Sequence, residues 1–275
     1  MYIRKYRILT VITLGLFCQS VVAEDIIFSA PPRETLHQAN TLYKPLAKVF
    51  SEILGRPVRY IYPDNWLTYQ RSMRKDQYDI VFDGPQFSSW RIKHLKHKLL
   101  VKLSGTIGFV TLVHKQNTTI TKMEDLIGKK ICAISPPNLT ALTTLEYYKN
   151  PMQQPILHGV RGGMKKVLSL FYKGVCDAAV IRSSYYEKKL SSDIRNKVKI
   201  IYRSVPLPNQ AFTVSNKLSA ADIKKLSREI EFGKIKELIY PIAKRFGGKD
   251  SEFLSAKTSE YRNQRLLLEG VILGW

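Results

Sequence analysis

"YDIVFDGPQFSSW", residues 78–90, decides how the chain is read. Ile80 to Phe82 run straight into Asp83-Gly84-Pro85, and Phe87 and Trp90 follow at helical spacing. Gly is accepted at a helix N-cap and Pro is favoured at the first helical position, so the stretch predicts a strand, a turn at Gly84 and a helix from Pro85. Such a helix start leaves the N–H groups of Gln86 and Phe87 without backbone partners, and it attracts anions. The C-terminal edges of strands are also where open α/β sheets hold their ligands. Asp83 then either caps the turn or forms one wall of a ligand site. Phe87 and Trp90 pack in the core or face a cleft.

The same order of strand, turn and helix recurs. After "KKICAIS" (129–135), ending at Ser135, Pro136 and Pro137 stop the strand, Asn138 is a good N-cap, and a helix is expected through Tyr148. Its first turn, Leu139 and Thr140, offers amides and a hydroxyl to an oxyanion; ordinary capping is the competing reading. In "HGVRGGMKK" Arg161 precedes Gly162-Gly163, and "AAVIRSSYY" leaves Arg182 at a strand end. Arginine forks suit phosphoryl and carboxyl groups. The first strand, "IIFSA" (26–30), is followed by Pro32 and Arg33.

Strand-like runs at 26–30, 58–62, 79–82, 129–135, 155–160, 177–181 and 198–202 alternate with amphipathic helices. In the first helix Ala39, Leu42, Leu46, Val49, Phe50 and Ile53 recur at steps of three and four, and Gly55 stands where a helix ends. Met164–Tyr172 and Ala220–Phe232 read likewise. This alternation predicts an α/β protein with mostly parallel sheets flanked by helices. Two groups of strands are separated by the extended passages "SGTIGFVTLVHK" (104–115) and "SVPLPNQAFTV" (204–214), and the remainder reads as helical. Two lobes joined by a two-strand hinge are therefore expected, lobe 1 being 24–105 with 207–275 and lobe 2 being 106–206. A cleft between them would hold a ligand, with Trp66, Trp90 and Phe109 as its aromatic candidates.

The first 23 residues read as a secretion signal, because Arg4, Lys5 and Arg7 precede an apolar run from Ile8 to Phe17 and a small-residue ending. Cleavage is expected after about Ala23; Phe17 is too bulky for a lipid anchor at Cys18. That leaves 252 residues, expected to be secreted and soluble, with 44% hydrophobic residues in the whole chain to build a core. Removing three leader charges leaves 41 Lys+Arg against 22 Asp+Glu, a formal +19. The lysines are scattered, with no basic stripe interleaved with aromatics, so nucleic acid is not an expected partner. An anionic polymer or membrane surface is the alternative that this charge allows. Cys132 and Cys176 either pair in the oxidising compartment or sit apart in two apolar strands. Neither metal-ligand spacing nor a nucleophile elbow, HExxH, Walker loop or GxGxxG occurs, and the five histidines form no motif with Ser or Cys. No cofactor, no metal and a monomer are expected.

Five stretches, "YDIVFDGPQFSSW", "SGTIGFVTLV", "MEDLIGKKICAISPPNLTAL", "GVCDAAVI" and "IIYRSVPLPNQAFTV", stand in one order. In this the chain resembles periplasmic phosphonate/phosphite-type solute-binding proteins of ABC transporters over about residues 25–232. The resemblance implies a type II periplasmic-binding fold closing on a small oxyanion, a permease partner and no chemistry on the ligand. Departures are visible. Leu139-Thr140-Ala141 keeps only the central hydroxyl of a Ser/Thr-rich loop, Asp83 replaces a Tyr or apolar residue, and Lys165 and Arg182 stand near positions of acidic groups that greet an amino tail. An exchanged charge pattern is the expectation, with Asp83 facing a donor on the ligand and Arg161 or Arg182 facing its anion. Two alternatives keep the residues but change the job: a ligand-sensing partner of a membrane receptor or sensor kinase, and a secreted hydrolase using Asp83.

Overall fold

The computed structural model describes residues 25–270, so the leader, its cleavage position and Cys18 lie outside the described residues. In chain order the elements begin with β1 (Ile26–Ser29), α1 (Leu36–Leu54), β2 (Val58–Tyr60), α2 (Trp66–Arg74), β3 (Ile80–Asp83), α3 (Pro85–His94) and β4 (Lys98–Leu103). The crossing follows as β5 (Thr106–Ile107) and β6 (Phe109–His114). Next come β7 (Lys130–Ile134), α4 (Leu139–Tyr147), β8 (Ile156–Val160), α5 (Gly163–Tyr172), β9 (Ala178–Arg182), α6 (Ser183–Lys189), α7 (Ser192–Asn196) and β10 (Val198–Arg203). The return is β11 (Leu207–Pro208) and β12 (Ala211–Val214), followed by α8 (Ala220–Phe232), α9 (Ile235–Phe246), β13 (Phe253–Leu254) and α10 (Leu266–Glu269).

Local chemistry places the first helix where periodicity predicts it. Thr35 and Gln38 form a reciprocal capping box at its start, and Gly55 ends it at φ 67. The apolar stripe buries Ala39, Tyr43, Leu46 and Phe50 against the first sheet.

Two sheets form two lobes, ordered β13-β4-β12-β3-β1-β2 and β10-β6-β9-β7-β8. They are mixed, not mostly parallel. Ladders β1–β2, β1–β3, β7–β8 and β7–β9 are parallel, whereas β12 runs antiparallel to both β3 and β4, and β6 to both β9 and β10. The reason is the crossing. Each strand that arrives from the other lobe enters its new sheet from the opposite end and is inserted between two strands already there. The crossings themselves pair as a short antiparallel ladder, Leu207 opposite Ile107 and Pro208 opposite Thr106. The tail is also not wholly helical, since β13 pairs with β4 through Phe253 and Leu103.

Phe28, Phe50, Phe82 and Phe212 lie in the core of the first lobe, and Val110, Leu112, Val167, Phe171 and Ile181 in that of the second. A third cluster spans both lobes and contains Tyr69, Phe87 and Trp90 together with Leu139, Leu142, Leu267 and Leu268.

Cys132 and Cys176 are joined in a disulfide with Cα atoms 5.7 Å apart, which ties β7 to the approach of β9. It closes a loop with a sequence separation of 44. Reduction is expected to lower the unfolding free energy by about 2–4 kcal/mol. Urea denaturation with and without dithiothreitol measures it, and an unmoved midpoint would show that the crosslink adds nothing.

Candidate functional site

The ends of four strands, two from each lobe, meet at one cavity of about 340 Å³. Pro31 and Arg33 follow β1, Gly84, Gln86 and Phe87 follow β3, Pro137, Asn138 and Leu139 follow β7, and Arg182 ends β9. Gly84 is the N-cap of α3 with Pro85 at the first helical position, as the opening stretch predicts. A Cβ on Gly84 would stand 2.5 Å from Gln86 Oε1, so any larger residue there displaces the Gln86 amide. Across the cavity Asn138 caps α4, its side chain accepting from the Thr140 amide. Two hydrogen bonds cross between the lobes at this wall. Gln86 Nε2 donates to the Pro137 carbonyl at 3.2 Å, and Arg182 Nη1 donates to the Phe246 carbonyl at 2.9 Å.

Positive charge gathers at one end of the cavity. Arg33 lies over the Phe246 ring at 4.4 Å and donates to the Phe82 carbonyl at 3.2 Å. Burial, then the Arg33 charge, brings the Arg182 guanidinium down to about 10, so it stays protonated at neutral pH. Neither arginine has a carboxylate partner among the described residues. Arg245, also in the wall, is paired with buried Glu34 at 3.1 Å. The rest is mainly apolar: Trp66 stacks on Phe87 with ring centres 5.9 Å apart, and Ile107, Phe109, Leu139, Met164 and Phe246 complete the wall. Gln86 Oε1 and Gln210 Oε1 are buried acceptors with no hydrogen-bond partner.

Of the residues that the sequence singles out, Arg33, Trp66, Gly84, Gln86, Phe109, Asn138, Leu139 and Arg182 line this cavity. Pro32, Asp83, Pro85, Trp90, Ser135, Thr140 and Arg161 do not. The first loop presents Pro31 and Arg33 instead of Pro32, and Pro85 is buried in the start of α3. The Phe87 amide is not free, since it donates to the Gly84 carbonyl at 3.1 Å. Trp90 packs in the cluster shared by the lobes, its ring 4.7 Å from that of His94. Ser135 packs over Gly159, and the Thr140 hydroxyl is taken by Asn138 Oδ1 and the Ile134 amide, so capping wins over anion binding there. Arg161 and Lys165 are exposed, and Met164 is the residue of that loop that reaches the cavity.

Asp83 is the largest correction. Its side chain points behind the strand end and is fully buried in an ion pair with Arg91, also fully buried. Tyr69 Oη donates to Asp83 Oδ2 at 2.5 Å and Ser88 Oγ to Oδ1 at 2.8 Å, while Arg91 Nη2 donates to Tyr69 Oη at 3.0 Å. Burial pushes the Tyr69 hydroxyl well up, which keeps it a donor. A carboxylate satisfied this way faces no ligand and activates no water, so the exchanged charge pattern and the hydrolase reading lose their residue.

Met164, Tyr185, Gln210, Arg245 and Phe246 also line the cavity without having been singled out from the sequence. Tyr185 follows Arg182 by three residues and Gln210 closes the proline-rich return, so position offered a signal for both. Arg245 and Phe246 come from the last turn of α9, far along the chain, where nothing local marks them.

Residues 28–230 match the family model described as the periplasmic phosphonate substrate-binding protein of ABC transporters. No curated protein matches the sequence. Similar solved structures include XAC2383 from Xanthomonas citri bound to ATP, with 14% identity, a TM-score of 0.70, and 90% of this chain and 96% of that one covered. PhnD1 from Prochlorococcus marinus in complex with methylphosphonate is 16% identical, with a TM-score of 0.64 and coverage of 88% and 96%. A binding-protein component of a Pseudomonas aeruginosa ABC phosphonate transporter is 14% identical, with a TM-score of 0.56 and coverage of 88% and 83%.

Removing Asp83 strands a buried guanidinium. Asp83→Ala is expected to cost about 3–5 kcal/mol in urea unfolding, and the double change Asp83→Leu with Arg91→Met much less. A loss below about 1 kcal/mol for Asp83→Ala would remove the pair from the account of stability.

Proposed function

The chain belongs to the family of periplasmic phosphonate substrate-binding proteins of ABC transporters, and from that premise we propose that it captures an oxyanion in the cavity between its lobes and passes it unchanged to a membrane permease. One observation carries this reading: Arg33 from the first lobe and Arg182 from the second line the same cavity, and neither has a carboxylate partner among the described residues. An anion bridging them is held by both halves of the molecule at once. Its binding energy then favours the closed arrangement over any open one, which is the differential affinity that a conformational signal to a partner requires.

The manner of holding differs from the one expected of this family. Hydroxyls at the α4 start are spent on capping, so two guanidinium forks replace them as the main donors. Binding without chemistry is supported by the wall itself, which among the described residues contains no Asp, Glu, His, Ser, Thr or Cys. Similar folds hold anions as unlike as methylphosphonate and ATP, so the fold leaves ligand identity to the residues of this wall. The periplasm as the place of action follows the same family reading, with the first 23 residues as leader.

Thermal unfolding of the purified mature chain with phosphonates, phosphite, phosphate and carboxylates tests the proposal. A ligand at about 100 times its dissociation constant adds about 2.7 kcal/mol of stability. In calorimetry Arg33→Ala and Arg182→Ala should each weaken that ligand tenfold or more, corresponding to loss of a charged hydrogen bond of about 1.5–3 kcal/mol. Unchanged affinity in both variants would overturn it. Capture of a permease separates transport from sensing, where a sensor kinase would be recovered instead.

A further inference from the structure

Resting on that reading, we infer that the ligand is an organic oxyanion with an apolar, ring-sized body and an uncharged hydrogen-bond donor, and that bare inorganic oxyanions and zwitterionic aminoalkyl compounds are poor ligands. Three features of the wall lead there independently.

The first is size and polarity. A cavity of about 340 Å³ lies in the range of roughly 300–1,000 Å³ that organic molecules occupy. A tetrahedral oxyanion satisfies the guanidinium end and leaves the half-buried rings of Trp66, Tyr185 and Phe246 partly facing water. A ligand whose body covers those rings recovers the burial that a small ion forgoes.

The second is the pair of orphan acceptors. The Gln86 amide has its orientation fixed, because the nitrogen must face the Pro137 carbonyl, and this leaves Oε1 as the buried end beside Gly84. Gln210 Oε1 is buried without a partner as well. Both residues line the cavity and are more than nine-tenths buried, at 4% and 8% exposure. Buried acceptors without donors are uncommon and costly, so a ligand that brings a hydroxyl or N–H answers them.

The third is sign. Arg33 and Arg182 have no carboxylate opposite them among the described residues, and the Glu34 charge is taken by Arg245. An ammonium in this cavity meets guanidinium groups, neutral amides and aromatic rings, with no carboxylate in the wall among the described residues. Neutral amide oxygens accept from a hydroxyl without needing a cation, so the donor that the wall selects is uncharged.

Calorimetry on the wild-type mature chain decides this with six probes: methylphosphonate, 2-aminoethylphosphonate, phenylphosphonate and the three hydroxyphenylphosphonate isomers. Phenylphosphonate should bind at least about tenfold tighter than methylphosphonate, as burial of a ring against an aromatic wall implies. 2-Aminoethylphosphonate should be the weakest, and at least one hydroxyphenyl isomer should surpass phenylphosphonate. Gln210→Glu, which places a carboxylate in the wall at constant shape, should shift the ratio of 2-aminoethylphosphonate to phenylphosphonate affinity at least about tenfold toward the amine. Methylphosphonate or 2-aminoethylphosphonate binding as tightly as phenylphosphonate would overturn the inference while leaving oxyanion capture standing. The absence of an isomer better than phenylphosphonate would overturn the donor. Silence from every probe would overturn the inference, and silence from phosphite, phosphate and carboxylates as well would overturn the capture it rests on.

Discussion

A carboxylate at the end of an apolar strand is tolerable only where a cation and neutral donors surround it, and the Asp83–Arg91 pair meets that demand at the centre of the first lobe. Tyr69 from α2, Ser88 from α3 and Arg91 two turns into α3 converge on it, so one group fixes the strand end and two helices together. Because α3 is held from behind, Gly84, Gln86 and Phe87 at its start are presented forward to the cavity. The charge that looks most available for a ligand is consumed in aiming the residues that line the cavity.

The two lobes are coupled by the same economy. Strands β6 and β12 each cross from one lobe and settle inside the sheet of the other, so the first lobe is built from two pieces of chain with the second lobe inserted between them. Phe246 then acts as a meeting point: its ring carries Arg33 and its carbonyl receives Arg182. Guanidinium groups that repel one another are brought near by a neutral residue. An anion between them relieves that repulsion, and burial makes the relief larger than it would be in water.

How much of this the sequence discloses depends on distance along the chain. Gly84, Pro85 and Asn138 announce helix starts because capping is a local matter of backbone geometry, and α1 announces itself through its period and Gly55. The direction of the crossing strands was not legible, since the residues of β6 and β12 are as apolar in an antiparallel ladder as in a parallel one. Asp83 was misread because its partners, Tyr69 and Arg91, lie on helices to either side and share no motif with it. Thr140 could not be decided for a different reason: a capping hydroxyl and an anion-binding hydroxyl look alike until the acceptor is seen. Arg245 and Phe246 reach the wall only through the packing of α9 on the first lobe, which no local pattern encodes.

The last helix gives the molecule a fulcrum. Leu267 and Leu268 of α10 are wedged against both α3 and α4, on the greasy patch common to the two halves, while Glu269 grips His94 of α3 at 2.6 Å and β13 is stitched to β4. Any parting of the halves would peel α4 away from α10 and wet aliphatic carbon outside the cavity wall. If the cavity holds the proposed oxyanion, the ease of that peeling, set by side chains outside the wall, would act as a dial on how tightly it is kept.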